Sequence, residues 1–222
     1  MTADIKKSNL NEQVFHALKE MIIKGELKPG EKIVEANLSK TLSVSRTPIR
    51  DALRRLERES LVISLPSQGT QVTRLSKQNI INLYECRSVL EGLAVRQAIG
   101  QISSPVMEAI EESIILAESY YAKGDIGKTI EKNTFFHDQL VASSHNAPLI
   151  QMMDNIRTQT MRYRVLTGAM GFRSSFIQEH TEILLALKNS EPDRAEALMR
   201  KHILADLQAF LQGIIKNHYL NE

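Results

Sequence analysis

The run Val44-Ser45-Arg46-Thr47-Pro48-Ile49-Arg50-Asp51-Ala52-Leu53-Arg54-Arg55-Leu56-Glu57 constrains this chain more than any other stretch. A short polar turn opens it, Ser45 or Thr47 can cap a helix there, and Pro48 falls in the first turn, where a missing N–H costs little. Ile49, Leu53 and Leu56 are spaced three and four apart and make one face of that helix. Arg46, Arg50 and Arg54 recur every fourth residue on another. Guanidiniums in such a row can pair with phosphates and fork onto O6 and N7 of guanine. A charged stripe is also the ordinary solvated face of an amphipathic helix, so the flanking sequence has to decide.

The flanks favour a DNA-reading helix. Residues 34–41 read as a short helix with Leu38 and Leu42 turned inward, and Ser43-Val44-Ser45 supplies the tight connection of a helix-turn-helix. Residues 61–65 and 70–72 read as two short strands around Pro66-Ser67-Gln68-Gly69. Together they make a winged helix-turn-helix over residues 1–74. That segment carries 13 Lys and Arg against 9 Asp and Glu, a net of +4, while 75–222 carries 15 against 17, a net of −2. The overall charge of +2 therefore hides a basic half suited to neutralising phosphates.

Residues 10–73 resemble the N-terminal domain of the GntR family of bacterial transcription regulators. The likeness rests on residues 23–30 (Ile-Lys-Gly-Glu-Leu-Lys-Pro-Gly), on Leu38 through Ser45, on the Ser-Arg-Thr-Pro-Ile-Arg-Asp-Ala-Leu stretch, and on Gln68-Gly69-Thr70. It implies that Ser45, Arg46, Thr47 and Arg50 touch DNA at the head of the recognition helix. It also implies that the backbone of Gly69, at the wing tip, reaches the minor groove.

The single cysteine, Cys86, excludes an internal disulfide, the start of the chain lacks the apolar stretch of a secretory signal, and no apolar run is long enough to span a bilayer. A cytoplasmic protein is expected. Beyond a polar joint at residues 74–77, nothing reads as a strand. The breaks at Gly100, Ser104-Pro105, Gly124-Asp125, Ala147-Pro148, residues 168–174 and Glu191-Pro192 punctuate about six helices, roughly 76–99, 105–123, 126–145, 148–167, 174–189 and 192–217. Each carries an apolar stripe, such as Ile80, Leu83, Tyr84, Leu90, Leu93 and Ala94 on the first. The expected fold is therefore mainly α: a winged helix-turn-helix, then an all-helical antiparallel bundle over 75–222.

Within the bundle, Asn133 and His137 stand one turn apart on one helix face, His180 lies on a second helix and His202 on a third. Read alone, a histidine beside apolar neighbours is more often a hydrogen-bonded core residue than a ligand. His16, His145 and His218 have no partner spacing and read as surface or boundary residues. Arg87 sits among apolar neighbours. It can pair with Glu91 one turn on, or reach into the bundle and grip a carboxylate.

This half resembles the FCD ligand-binding domain of the FadR-like branch of the GntR family, on Leu83-Tyr84-Glu85-Cys86-Arg87, Leu90-Glu91-Gly92-Leu93-Ala94, Phe136-His137 with Asn146, Glu179-His180, and the stretch from Ala195 to His202. The resemblance implies a divalent metal, zinc or nickel, held through Asn133, His137, His180 and His202. Many members have an aspartate where this chain has Asn133, so the site loses one negative charge while keeping an amide oxygen that can ligate. It further implies an effector-binding arginine at Arg87; Arg162 and Arg164, which bracket Tyr163 on the fourth bundle helix, are weaker candidates for the same task. The expected protein is a homodimeric transcription regulator, a repressor, that reads a palindromic operator in double-stranded DNA and answers to a small organic acid. One alternative makes the metal itself the signal. Another, a helical-bundle metalloenzyme, lacks a general base placed by any motif and leaves the basic half without a purpose.

Overall fold

A computed structural model of the chain describes residues 2–167, 172–173 and 175–217, with side chains described over 10–213. Among these residues are the helices α1 (Thr2–Lys24), α2 (Glu35–Thr41), α3 (Arg46–Arg58), α4 (Lys77–Ala98), α5 (Ser104–Ala122), α6 (Ile126–Ser143), α7 (Ala147–Thr167), α8 (Phe176–Lys188) and α9 (Pro192–Asn217), and a hairpin of β1 (Val62–Leu65) and β2 (Gly69–Val72). Of the break expected at 168–174, only Phe172 and Arg173 are described, and His218 lies outside the described residues. No helix among the described residues is long and apolar enough to cross a membrane. The chain forms two compact units: the described residues up to 77 with 158–167, and 78–157 with the described residues from 172 onward.

The first unit is built on a core that joins Val14, Leu18 and Ile22 of α1, Leu38 of α2, Ile49, Leu53 and Leu56 of α3, and Val62 and Val72 of the hairpin. Helical spacing on α1 and α3 and strand alternation on β1 and β2 aim these side chains inward, and their burial is the main stabilising term. The hairpin is antiparallel, with Val62 opposite Val72 and Leu65 opposite Gly69. Lys32 bridges Gln71, which adds a third extended segment to the wing. Ser43, at a φ of 53°, turns the chain between α2 and α3. Ser45 occupies the N-cap of α3 in extended conformation, but its side chain makes no capping hydrogen bond. Its position there is as expected, and its capping bond is not.

Residues 158–167 complete this unit with polar side chains that hold backbone groups. Gln159 donates to the carbonyl of Glu59 at the C-cap of α3, at 2.7 Å. The Tyr163 hydroxyl accepts from the Ser76 N–H at 3.0 Å and donates to the Ser76 carbonyl at 3.1 Å. Gly25 lies in the left-handed region at a φ of +79°, and a Cβ there would stand 2.6 Å from Leu166 Cδ2. The backbone conformation favours glycine at that turn, and any Cβ would also displace the Leu166 methyl.

The second unit packs α5 on α6, α8 on α9 and α5 on α8. On α4 the fully buried face differs from the expected stripe: Ile80, Tyr84 and Ala94 are buried, but so are Arg87, Ser88 and Glu91. Leu90 and Leu93 are only partly buried, against a smaller cluster of Ala94, Val141, Leu149 and Met153. A helix that buries an arginine and a glutamate must satisfy both with partners, because unpaired burial of charge is costly.

Candidate functional site

In the first unit α3 divides as its spacing requires. Ile49, Leu53 and Leu56 are in the core, while Ser45, Arg46, Thr47, Arg50 and Arg54 are exposed at one end and along one face. Arg46 and Arg54 make no ion pair among the described residues, whereas the Arg50 Nε donates to Glu35 Oε2 on α2 at 2.8 Å. Gly69 stands at the hairpin turn with a φ of +82°, and the Lys32 side chain is the nearest neighbour that a Cβ there would meet, 3.8 Å away at Cε. Strand pairing places Lys32, Gly69 and Gln71 on the same solvent-facing side, opposite the buried Ile33 and Val72.

In the second unit α6, α8 and α9 bring His137, His180 and His202 together. All three are buried, and a ligating nitrogen from each lies within 4.8 Å of those of the other two. His180 Nε2 and His202 Nε2 are 3.1 Å apart. Asn133 is buried one turn before His137 on α6. The Phe136 ring stacks on His180 with centroids 3.9 Å apart, which fixes the plane of that imidazole.

Two of the imidazoles are oriented from behind by carboxylates. His137 Nδ1 donates to Glu91 Oε2 at 2.5 Å, and Glu91 Oε1 accepts from Arg87 Nε at 2.5 Å. His202 Nδ1 donates to Glu179 Oε2 at 2.7 Å, and Glu179 is paired with Arg173, which also donates to Asp206 Oδ1 at 2.9 Å. These bonds assign the proton to Nδ1 and leave the Nε2 lone pairs of both rings facing inward. Among the described residues His137 Nε2 is buried with no hydrogen-bond partner, and so is His180 Nδ1.

The electrostatics hold His137 and His180 neutral and Glu91 and Glu179 charged. Burial pushes His137 below the usual histidine range, outweighing the pull of Glu91. Burial, helped by the neighbouring His202 and His137 rings, pushes His180 well below it. Burial opposes charge on Glu91, but Arg87 and His137 outweigh it and hold the carboxyl at about 2. Glu179 is likewise held at about 2, against its burial, by its bonds to His202 and Arg173. Neutral imidazoles backed by ionised carboxylates are the protonation state that metal ligation needs. The spacing fits as well: 3.1 Å is a separation that two nitrogens on one ion, each about 2.1 Å from it, can have. An orphaned, inward-facing Nε2 on His137 fits the same role. The three histidines can hold a metal ion.

The other predicted residues are placed differently. Arg87 adopts the Glu91 pairing of its two alternatives, but fully buried, as part of the His137 support. Arg162, a weaker candidate, is held by the backbone. It lies in the first unit, buried, and donates to the backbone carbonyl of Thr73 at the foot of the wing, so its guanidinium is a structural clamp there. Sequence reading named Glu91 only as a pairing partner for Arg87 and assigned no role to Glu179, Asp206 or Arg173. Asp206 follows His202 by four residues, the same spacing that paired Asn133 with His137, and its Oδ2 stands 3.7 Å from His202 Nε2. Arg173 carries no such signal.

Residues 10–72 match the bacterial regulatory proteins of the gntR family, and residues 82–205 match the FCD domain. The chain belongs to this family. It is 31% identical over 195 residues to the uncharacterized HTH-type transcriptional regulator YdhC of Bacillus subtilis (strain 168), covering 87% of this chain and 85% of that one. It is 27% identical over 188 residues to a probable D-xylose utilization operon transcriptional repressor of Paenarthrobacter nicotinovorans, covering 85% and 83%. Its fold is that of the E. coli McbR/YncC structure, with a TM-score of 0.74 at 23% identity over 91% of this chain and 97% of that one. The protein is thus a transcriptional regulator with an N-terminal DNA-binding domain, and the metalloenzyme alternative falls.

Proposed function

We propose that the protein is a homodimeric repressor that reads a palindromic operator through Ser45, Arg46, Thr47, Arg50 and the Gly69 backbone, and that a small organic acid releases it. In this reading residues 1–74 bind DNA and 75–222 bind the effector and dimerise. One winged helix covers only a half-site, so two held at fixed spacing are needed for tight binding.

The observation that carries the effector half of this reading is the trio of buried imidazoles, two of them fixed by carboxylates on their outer nitrogens. His137, His180 and His202 would hold a divalent ion, zinc or nickel, with Asn133 as a neutral fourth donor. When bound, the ion supplies a positive centre for a carboxylate. Without it the neighbourhood holds three carboxylates, Glu91, Glu179 and Asp206, against two guanidiniums, Arg87 and Arg173. That net negative charge repels an organic anion, so the acid is expected to bind only after the metal.

Calorimetry tests this order directly: chelator-treated protein should take up zinc or nickel and show no heat with C2–C6 carboxylic acids until it has. An acid that binds equally well with chelator present would overturn it. One observation favours metal as the signal instead. Both guanidiniums near the histidines are already paired with carboxylates, so neither is waiting for an effector. In that case zinc or nickel alone would release DNA.

A further inference from the structure

His202 on α9 has a carboxylate beside each of its ring nitrogens. Glu179 Oε2 accepts from Nδ1 on the outer side at 2.7 Å, whereas Asp206 Oδ2 stands 3.7 Å from Nε2, the inward nitrogen. The proton on Nδ1 leaves a lone pair on Nε2, so two acceptors face each other there, too far apart for a hydrogen bond between them. Asp206 is buried, and its Oδ1 accepts from Arg173 at 2.9 Å. Arg173 also pairs with Glu179, so two carboxylates share one guanidinium. A buried carboxylate turned toward a lone pair is unfavourable until a cation lies between the two. Asp206 follows His202 by one turn on α9, as Asn133 precedes His137 by one turn on α6, and residues four apart on a helix can converge on one ion. The α6 pair offers an uncharged oxygen and the α9 pair a charged one.

We propose that Asp206 is a ligand of the ion held by His137, His180 and His202, and that it supplies the negative charge Asn133 does not. The inference rests on the reading of the three histidines as a metal centre. A nitrogen and an oxygen on one ion, each about 2.1 Å from it, stand about 3.0–3.4 Å apart, so a turn of the aspartate side chain closes the present gap to His202. Arg173 holds Oδ1 and leaves Oδ2 for the ion, which makes it the partner that orients this ligand. One negative ligand among neutral ones leaves a divalent ion with a net positive charge, so the loaded centre still attracts an organic anion.

The experiment uses full-length, chelator-treated protein loaded with cobalt, whose visible absorption bands report the ligands and geometry around the ion, and with zinc, whose affinity is read by competition with a chromophoric chelator. Asp206→Asn keeps the shape and an acceptor for Arg173 and removes the charge. It should shift the cobalt bands and weaken zinc by more than about 100-fold, beyond the roughly 10–100-fold that loss of an outer partner costs. Glu179→Gln, altered on the outer side of the same ring, should stay within that range and keep the wild-type bands. Adding Asn133→Asp to Asp206→Asn should recover most of the lost affinity, because it returns a charged oxygen from α6. If Asp206→Asn does not fold, Asp206→Glu, which retains the charge for Arg173 but moves the oxygens by one methylene, should shift the bands in its place. Unshifted bands in the folded variant would make Asp206 a partner of Arg173 alone and overturn the inference while the metal centre stands. No uptake of cobalt or zinc by the wild type, or uptake unchanged by His180→Ala, would instead remove the histidine centre, and this inference with it.

Discussion

Replacing Glu91 with Gln keeps the shape of the side chain and removes its charge, and the surroundings set the cost. A carboxyl held at about 2 in place of its ordinary 4.5 is favoured in the charged form by about 3 kcal/mol, at 1.36 kcal/mol per pH unit. The same figure follows from the general cost of breaking a buried ion pair, roughly 3–5 kcal/mol, because Arg87 would stay buried without its counter-charge. For a chain of this size each kcal/mol lowers the melting midpoint by about 2–4 °C, so chelator-treated Glu91→Gln should melt about 6–12 °C below the wild type. The single amide oxygen of the glutamine cannot accept from both Arg87 and His137, as the two carboxylate oxygens do, so the orientation of His137 should loosen and metal binding weaken, by up to about 10–100-fold. Differential scanning calorimetry and metal titration read the two effects separately. A midpoint within about 2 °C of the wild type, given that sensitivity, would show that the Arg87–Glu91–His137 chain does not hold together as drawn here.

Arg46→Ala should weaken binding to a selected operator by roughly 1–3 kcal/mol without altering the circular dichroism spectrum, and wild-type affinity would remove Arg46 from the interface. Lys32→Ala should weaken selected and mixed duplexes alike and flatten the dependence of log affinity on log salt by about one per phosphate contact, while Lys24→Ala, on an exposed residue paired with Glu20, should leave the slope unchanged. Arg162→Ala should lower stability by about 1–3 kcal/mol through the lost bond to Thr73 and leave metal affinity unchanged, and a change in metal affinity alone would return Arg162 to the effector site. Asn133→Asp should strengthen zinc binding and weaken any carboxylate that follows it, and an unchanged zinc affinity at fixed pH would place Asn133 outside the coordination shell.

The sequence was most legible where one residue period met one kind of surface. On α3 the three- and four-residue spacing of Ile49, Leu53 and Leu56 separates core from arginines, and the structure keeps that separation. The six helices of the second half begin and end within a few residues of the glycines, prolines and serines that punctuate them. Burial on α4 was read less well, because the apolar stripe was assumed to be the buried one. Leu83, Leu90 and Leu93 are apolar and only partly buried, whereas Arg87 and Glu91 are charged and buried. Periodicity reports which residues share a face, and it cannot report that two charges on one face will neutralise each other.

Spacing alone made the histidines legible as residues, since no spacing rule links α6, α8 and α9, and it was the family resemblance that joined them into one centre. What the sequence lacked was the outer layer. Glu91 supports His137 from 46 residues upstream, and Arg173 reaches Glu179 and Asp206 from ahead of α8. That layer also changes what Asn133 means. The aspartate common in the family would add a fourth carboxylate to a cluster where Glu91, Glu179 and Asp206 already outnumber Arg87 and Arg173. An asparagine keeps the oxygen and omits the charge, so in the proposed site the imidazoles and the outer carboxylates would carry the affinity for a cation. A neutral residue at position 133 then leaves more positive charge at the centre for an anionic ligand once a cation is held.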